Sequence, residues 1–294
     1  GSGVSAGPGV SAGPGLSAGP GLSAGPGLSA AVPGVPLSRR MVVALALASV
    51  VGLLAFGWPL FVQPGAALGS SGDAPLLLAV VLAGVLGVLF VGLGDGSLDA
   101  KAVAVLGLLS ALGALLRPLA AGTAGVETVF VLIILGARVL GPGFGFVLGS
   151  TTLLASALVT GGVGPWLPFQ MLGASWVGLG VGVVPRRLRG RSEIGALVAY
   201  SVLAALMFGL AMNLSFWPFL LGAGSELSFV PGDPAGANLQ RFAVFSVATS
   251  LGWDVGRAVT TAIGVAVAGP AVLAALRRAA RRAAFAPIGG VGER

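Results

Sequence analysis

Long, almost unbroken apolar runs dominate the pattern of hydrophobic and polar positions along the chain. The run from Met41 to Phe61 contains one hydroxyl side chain, Ser49, and no charged residue. A membrane-spanning helix needs about twenty mostly apolar residues, whereas the strands of a membrane barrel alternate apolar and polar positions. The pattern therefore predicts an all-α polytopic membrane protein.

Runs of this kind predict about eight transmembrane helices. They lie at residues 41–61, 75–94, 102–119, 125–138, 142–160, 166–184, 193–213 and 256–276. A long outer loop, 214–240, precedes the apolar stretch Arg241–Gly252, which is too short to cross a bilayer. We expect a surface or re-entrant helix there, a bend near Gly252, and then the last span.

The two ends of the chain differ from the apolar middle. Within residues 1–38 the unit Ser-Ala-Gly-Pro-Gly recurs, starting at Ser5, Ser11, Ser17 and Ser23. Glycine and proline at this density disfavour helix and leave little side chain to bury. We expect a disordered repeat tail over 1–38 and a flexible C-terminal tail over 286–294.

The composition supports a membrane environment and excludes several kinds of chemistry. Of the 294 residues, 56% are hydrophobic and 9% are charged, against roughly a quarter charged in soluble domains. Lipid must therefore solvate much of the chain. The absence of cysteine and histidine excludes disulfides, thiol catalysis, His/Cys zinc sites and Ser-His chemistry, and we expect neither a metal nor a cofactor.

The basic residues predict the orientation of the spans. With the N-terminus inside, the inner segments contain thirteen of the sixteen Lys and Arg residues, and the outer segments contain Arg117, Arg241 and Arg257. Basic residues concentrate in cytoplasmic loops, so both termini are predicted to be cytoplasmic. The net charge of +7 is thus explained by topology, with contact to anionic lipid secondary, rather than by nucleic-acid binding.

Catalytic motifs are missing from the sequence. A phosphate loop requires Lys followed by Ser or Thr, but the one lysine, Lys101, precedes Ala102, so the chain does not hydrolyse ATP by that mechanism. Its acidic residues are scattered, with only Asp95 and Asp99 close together. Two alternatives remain open: a structural membrane subunit without a ligand, and, less favoured, a membrane enzyme acting on lipid.

Two motifs in the middle of the chain carry a family resemblance. Gly141–Phe146 reads GPGFGF and Gly161–Met171 reads GGVGPWLPFQM, while Ser250–Asp254 reads SLGWD before a Gly-Pro-containing span and an Arg-rich tail. Over about residues 100–285 the sequence resembles substrate-binding S components of energy-coupling factor (ECF) transporters. The two spans within 39–98 depart from that family pattern.

The resemblance implies an architecture and a function. It implies a six-helix core over 99–285, with two extra N-terminal helices over 39–98. The chain would lie in the bacterial cytoplasmic membrane and capture a vitamin or similar micronutrient on the outer face. It would deliver this substrate inward when docked on a separate transmembrane coupling subunit with two ATPase subunits. It would not itself be an enzyme. Cobalamin, a thiamine-like compound or another micronutrient fits the resemblance equally.

Polar and aromatic residues concentrate at the predicted outer side. Charged and amide groups at membrane depth are costly and indicate function, and aromatic rings suit a flat ligand. The predicted substrate-binding residues are Arg117, Glu127, Trp166, Gln170, Asn213, Trp217, Trp253, Asp254 and Arg257. As alternatives, Asp254 and Arg257 form a structural ion pair, the amides bond neighbouring helices, and the aromatics form an interfacial belt.

Small residues at four-residue spacing indicate close helix packing. Gly145 and Gly149 form one such stripe. On the first core span, the predicted coupling-subunit interface consists of Gly107, Ser110, Ala111 and Ala114. Packing within the bundle is the alternative explanation for these four residues.

Overall fold

The computed structural model describes residues 1–3, 37–57, 74–95, 98–119, 125–220 and 225–283, and every regular element within them is helical. The helices are α1 (Arg39–Gly57), α2 (Ala74–Gly94), α3 (Ala100–Leu116), α4 (Val129–Leu140), α5 (Pro142–Thr160), α6 (Leu167–Gly180), α7 (Gly190–Leu220), α8 (Ala235–Phe245) and α9 (Leu251–Ala283). Most of the predicted N-terminal repeat tail, and the whole predicted C-terminal tail, lie outside the described residues.

The helices fit a membrane. By length and composition, four stretches can cross a bilayer: Arg39–Gly57, Pro142–Thr160, Gly190–Trp217 and Ala235–Arg281. The shorter apolar helices are Leu82–Gly94, Ala100–Leu116, Val129–Leu140 and Leu167–Val183. The all-helical membrane fold is thus confirmed, while the number of spans, about eight, stays a prediction.

The predicted bend near Gly252 is replaced by a change of helical winding at residues 246–250. Residues 246–250 form a short π-helical segment that joins α8 to α9, and Gly252 lies within α9. Helical structure therefore continues from Ala235 to Arg281, without the separate surface or re-entrant helix that we expected. A π-segment admits an extra residue per turn while keeping the backbone hydrogen-bonded, so this stretch changes its winding without a break.

Helix α5 packs closely against α6 through the predicted glycine stripe. A Cβ atom at Gly149 would lie 2.2 Å from the carbonyl oxygen of Ala174, and one at Gly178 would lie 2.0 Å from that of Gly145. Side chains at these positions would collide with backbone. The two helix backbones touch, and α5 is buried along most of its length.

Helices α1 and α2 pack against each other, and α1 rests on α6. The indole Nε1 of Trp176 donates a hydrogen bond to Ser49 Oγ at 3.2 Å. Phe56 meets Phe169 edge to face, with centroids 5.1 Å apart, and Gly52 lies against Leu172. The N-terminal helices therefore pack into the same hydrophobic core as the rest of the bundle.

A buried ionic cluster joins three helices at the end predicted to be cytoplasmic. Glu193 Oε1 accepts hydrogen bonds from Arg138 Nε at 2.7 Å and from Arg277 at 2.6 Å. The Arg138 guanidinium also donates to three backbone carbonyls in the 184–188 turn. The Arg138 and Glu193 side chains are only 4% and 1% exposed. This cluster connects α4, α7 and α9.

Candidate functional site

A cavity of about 300 Å³ with charged residues in its lining lies at the opposite end of the bundle. It is formed where α3 and α5 end and where α4 and α9 begin, which is the end predicted to face outward. Its polar and aromatic lining includes Arg117, Glu127, Ser156, Thr160, Trp253 and Arg257. Four of these six were predicted as substrate-binding residues from the sequence.

The segment 125–128, just before α4, brings Glu127 to the cavity. Gly125 has φ +78°, and a Cβ atom there would lie 2.2 Å from the carbonyl oxygen of Trp253, so only glycine fits. Thr128 Oγ1 donates to the carbonyl of Leu116 at 2.9 Å, and the backbone N–H of Glu127 donates to Thr260 Oγ1 at 3.2 Å. The segment is thereby fixed to both α3 and α9.

Arg117 lies in the 3₁₀ turn that follows α3. Its guanidinium donates to Gln170 Oε1 at 3.0 Å and, at the long limit of 3.5 Å, to Ser156 Oγ. Both partners are neutral, and none of the described carboxylates forms an ion pair with Arg117. The guanidinium therefore brings to the cavity a positive charge without a direct ion pair, and this charge also acts on the Glu127 carboxyl group.

Arg257 is held by Asp254, one turn earlier on α9. Its NH1 donates to Asp254 Oδ1 at 2.6 Å, and its guanidinium lies 5.2 Å from the ring centre of Phe208. The Asp254 carboxylate packs directly on Gly209 of α7, where a Cβ atom would lie 2.0 Å from it. The predicted pair is therefore formed, and it neutralises Arg257 while Arg257 still lines the cavity.

Glu127 is half-buried and forms no ion pair with Arg117 or Arg257. Burial raises the pKa of its carboxyl group above the ordinary value. The positive charges of Arg117 and Arg257, together with the backbone N–H groups of Val129 and Thr128, oppose that rise in pKa only in part. As the pH falls, the carboxyl group of Glu127 therefore becomes protonated at a higher pH than an ordinary glutamate does.

The tryptophans occupy three different environments. Trp253 lines the cavity and is 48% exposed. Trp166 is 41% exposed and donates its indole N–H to the carbonyl of Gly162 at 3.2 Å, outside the cavity lining. Trp217 is fully buried, and its indole donates to the carbonyl of Leu227 at 2.7 Å. Only Trp253 of the three predicted tryptophans therefore reaches the cavity.

The two predicted amides also differ. Gln170 accepts a hydrogen bond from the cavity-lining residue Arg117 and so helps to position its guanidinium. Asn213 lies on α7, one turn beyond Gly209, and its Nδ2 is buried without a hydrogen-bond partner among the described residues. Neither amide is part of the cavity lining.

Sequence reasoning missed Ser156 and Thr160, which line the cavity from α5. They are one helical turn apart, and Thr160 Oγ1 donates to the carbonyl of Ser156 at 2.8 Å. The available signal was two hydroxyl residues one turn apart near the predicted outer end of a span that also contains Ser150, Thr151 and Thr152. Such residues commonly bond their own helix, which makes that signal weak.

The small residues of α3 divide between two sides of the helix. Ser110 Oγ is 2.7 Å from Thr151 Oγ1 of α5, and Ala114 is buried. Gly107 and Ala111 are exposed on the other side. Packing within the bundle accounts for Ser110 and Ala114, whereas Gly107 and Ala111 remain available to a partner.

These features define an all-helical membrane protein with a small charged cavity at one end of the bundle. A family model described as "ECF transporter, substrate-specific component" matches residues 101–279, more than half of the chain. The chain therefore belongs to the family of substrate-specific components of ECF transporters, as the sequence motifs predicted. Such components are transport proteins rather than enzymes. Neither the curated proteins nor the solved structures that were searched gave a match.

Proposed function

We propose that the chain captures a vitamin or similar micronutrient on the outer face of the bacterial cytoplasmic membrane. The family match over residues 101–279 carries this proposal. The cavity between α3, α4, α5 and α9 supports it, because ligand sites are concave and contain a few convergent polar groups. The competing function, a structural subunit without a ligand, does not account for a cavity lined by unpaired charges.

The proposed core consists of the six spans that begin with α3, and α1 and α2 are additional helices that precede the matched region. Both termini would be cytoplasmic. The excess of Lys and Arg in the inner segments supports this orientation, which directs the cavity outward and the cluster around Glu193 inward.

Delivery requires partners. In the proposed mechanism the chain docks on a transmembrane ECF coupling subunit with two ATPase subunits, which supply the energy that a chain without a phosphate loop cannot. The exposed side of α3 around Gly107 and Ala111 is the proposed contact. Small residues let two helix backbones approach closely in lipid, and the long side chains of Leu108 and Leu112 beside them are also exposed.

Ligand capture is tested by mass spectrometry of small molecules retained by the purified full chain after expression in rich medium. We expect one vitamin-sized compound, retained by the wild type and lost in the Arg117→Gln/Trp253→Ala double variant. The variant Trp166→Ala, which lies outside the cavity, is the matched control and should retain it. A well-folded wild-type chain that retains nothing would favour the structural-subunit alternative.

A further inference from the structure

The cavity brings together opposite charges that form no direct ion pair with each other among the described residues. Arg117 bonds only neutral side chains among the described residues, and Glu127 forms no ion pair there. The third charged group of the lining, Arg257, is already paired with Asp254 at 2.6 Å. One anionic and one cationic group are therefore left without an ionic partner in the same small space.

Arg117 suits the anionic part of a ligand. A guanidinium carries five N–H donors in a fixed plane that matches a carboxylate. Two of these donors are used, one of them at the long distance of 3.5 Å. Gln170 holds the side chain from the protein side, so the orientation of the guanidinium is set before a ligand arrives.

Glu127 suits a protonated nitrogen. Its backbone is fixed by the hydrogen bond to Thr260 and by the close packing of Gly125 on Trp253. Glu127 therefore lines the cavity from a segment whose backbone is held in place. A charged N–H donor bonded to a carboxylate is among the stronger hydrogen bonds in proteins.

Ligands of a single charge fit this lining poorly. A purely anionic ligand would satisfy Arg117 but meet the unpaired Glu127, and a purely cationic one would meet the reverse conflict. Leaving a charged group buried without a partner is costly. The volume limits size as well, since about 300 Å³ is at the lower end of the range for ligand pockets, about 300–1,000 Å³. A corrin-sized molecule such as cobalamin exceeds it.

We propose that the substrate is a small zwitterion whose anionic group binds Arg117 and whose protonated nitrogen binds Glu127. Trp253 lines the same cavity, and an indole ring can offer an apolar surface to the rest of the molecule. This inference rests on the proposed capture function and narrows its substrate class.

The test uses yeast extract separated by ion exchange into neutral, anionic, cationic and amphoteric fractions, the last being retained by a cation exchanger in acid and by an anion exchanger in base. Each fraction is added to the purified full chain, and the thermal unfolding midpoint is measured, because a ligand that binds the folded state raises it. We expect the amphoteric fraction to raise the midpoint. Glu127→Gln and Arg117→Gln should each require about tenfold more of that fraction for the same rise.

Two matched variants control for charge removal alone. Glu226→Gln and Arg241→Gln remove one charge each outside the cavity, and both should respond as the wild type does. A midpoint raised by the anionic, cationic or neutral fraction alone, or an undiminished response of Glu127→Gln, would overturn the zwitterion inference and leave ligand capture standing. A folded chain that no fraction stabilises would count against both proposals.

Discussion

At the scale of single residues, Glu193 is a buried carboxylate on which the packing of three helices depends. It accepts hydrogen bonds from two guanidiniums while only 1% of its side chain is exposed. Two charges buried as a pair are tolerated because they neutralise each other, but removing one partner leaves the other uncompensated at low dielectric. The loss therefore exceeds what the pair itself contributes.

Arg138→Met tests this. We expect it to lower the free energy of unfolding by about 1–3 kcal/mol, because three backbone carbonyls would lose a donor while Glu193 would keep Arg277 as its one guanidinium partner. Arg241→Met is the control, since its pair with Asp233 is 28% and 35% exposed and exposed pairs contribute about 0–1 kcal/mol. Thermal unfolding in detergent compares the two variants; similar losses would contradict the assigned role of Arg138.

The raised pKa of Glu127 predicts a pH dependence of binding. Only the ionised carboxylate attracts a protonated nitrogen, so affinity should be complete above the folded-state pKa and fall as pH is lowered through it. Because that pKa is raised, the loss should begin above the ordinary range for glutamate, about 4.3. Affinity of the retained compound, measured across this range by calorimetry, should decline in the wild type. An equal decline in Glu127→Gln would assign it to another group.

Sequence reasoning found the charged residues of the cavity but not all of its lining. Arg117, Glu127 and Arg257 are conspicuous because charge at membrane depth is rare and costly. Trp217 carried a similar aromatic signal, yet its indole bonds the carbonyl of Leu227 in the interior. The pattern of tryptophans cannot separate a cavity, an interface and a core, because all three bury a ring and satisfy one N–H.

At the scale of helices, the contact between α5 and α6 depends on glycine residues, which have no side chain to separate the two backbones. Gly149→Ala would place a methyl group 2.2 Å from backbone of Ala174, and backbone cannot rotate away as a side chain does. We expect a loss of about 1–3 kcal/mol in the free energy of unfolding. Gly107→Ala meets nothing within 4 Å and should be neutral or slightly stabilising. Thermal unfolding of both variants tests this expectation. Equal stability of the two variants would show that α5 and α6 move apart to accommodate the methyl group at little cost.

Helix positions were predicted well and helix ends less well. Helix α4 begins at Val129 rather than near 125 because Gly125 adopts a left-handed conformation, which apolarity alone does not reveal. The continuity from α8 to α9 escaped prediction for a related reason. A π-segment is a matter of hydrogen-bond register, and the residues 246–250 read equally well as a bend.

At the scale of the whole molecule, the proposed docking surface predicts separable effects. Gly107→Leu/Ala111→Leu should reduce co-purification of the coupling subunit, because bulky side chains keep a partner helix at a distance. Ligand retention should be unchanged, since neither residue lines the cavity. Ala266→Leu, on the exposed side of α9, is the matched control. If the double variant recovers as much coupling subunit as the wild type does, α3 is not the docking surface.

The cluster around Glu193 restricts the routes by which a captured molecule can leave toward the cytoplasm. Separating the ends of α4, α7 and α9 that meet there would break two ion pairs and leave the Arg138 and Glu193 side chains, 4% and 1% exposed, without each other. Opening an exit between those three helices therefore has a high free-energy cost. Under the proposed capture function and orientation, a ligand that travels inward would pass along another side of the bundle or be carried by reorientation of the entire protein within the bilayer.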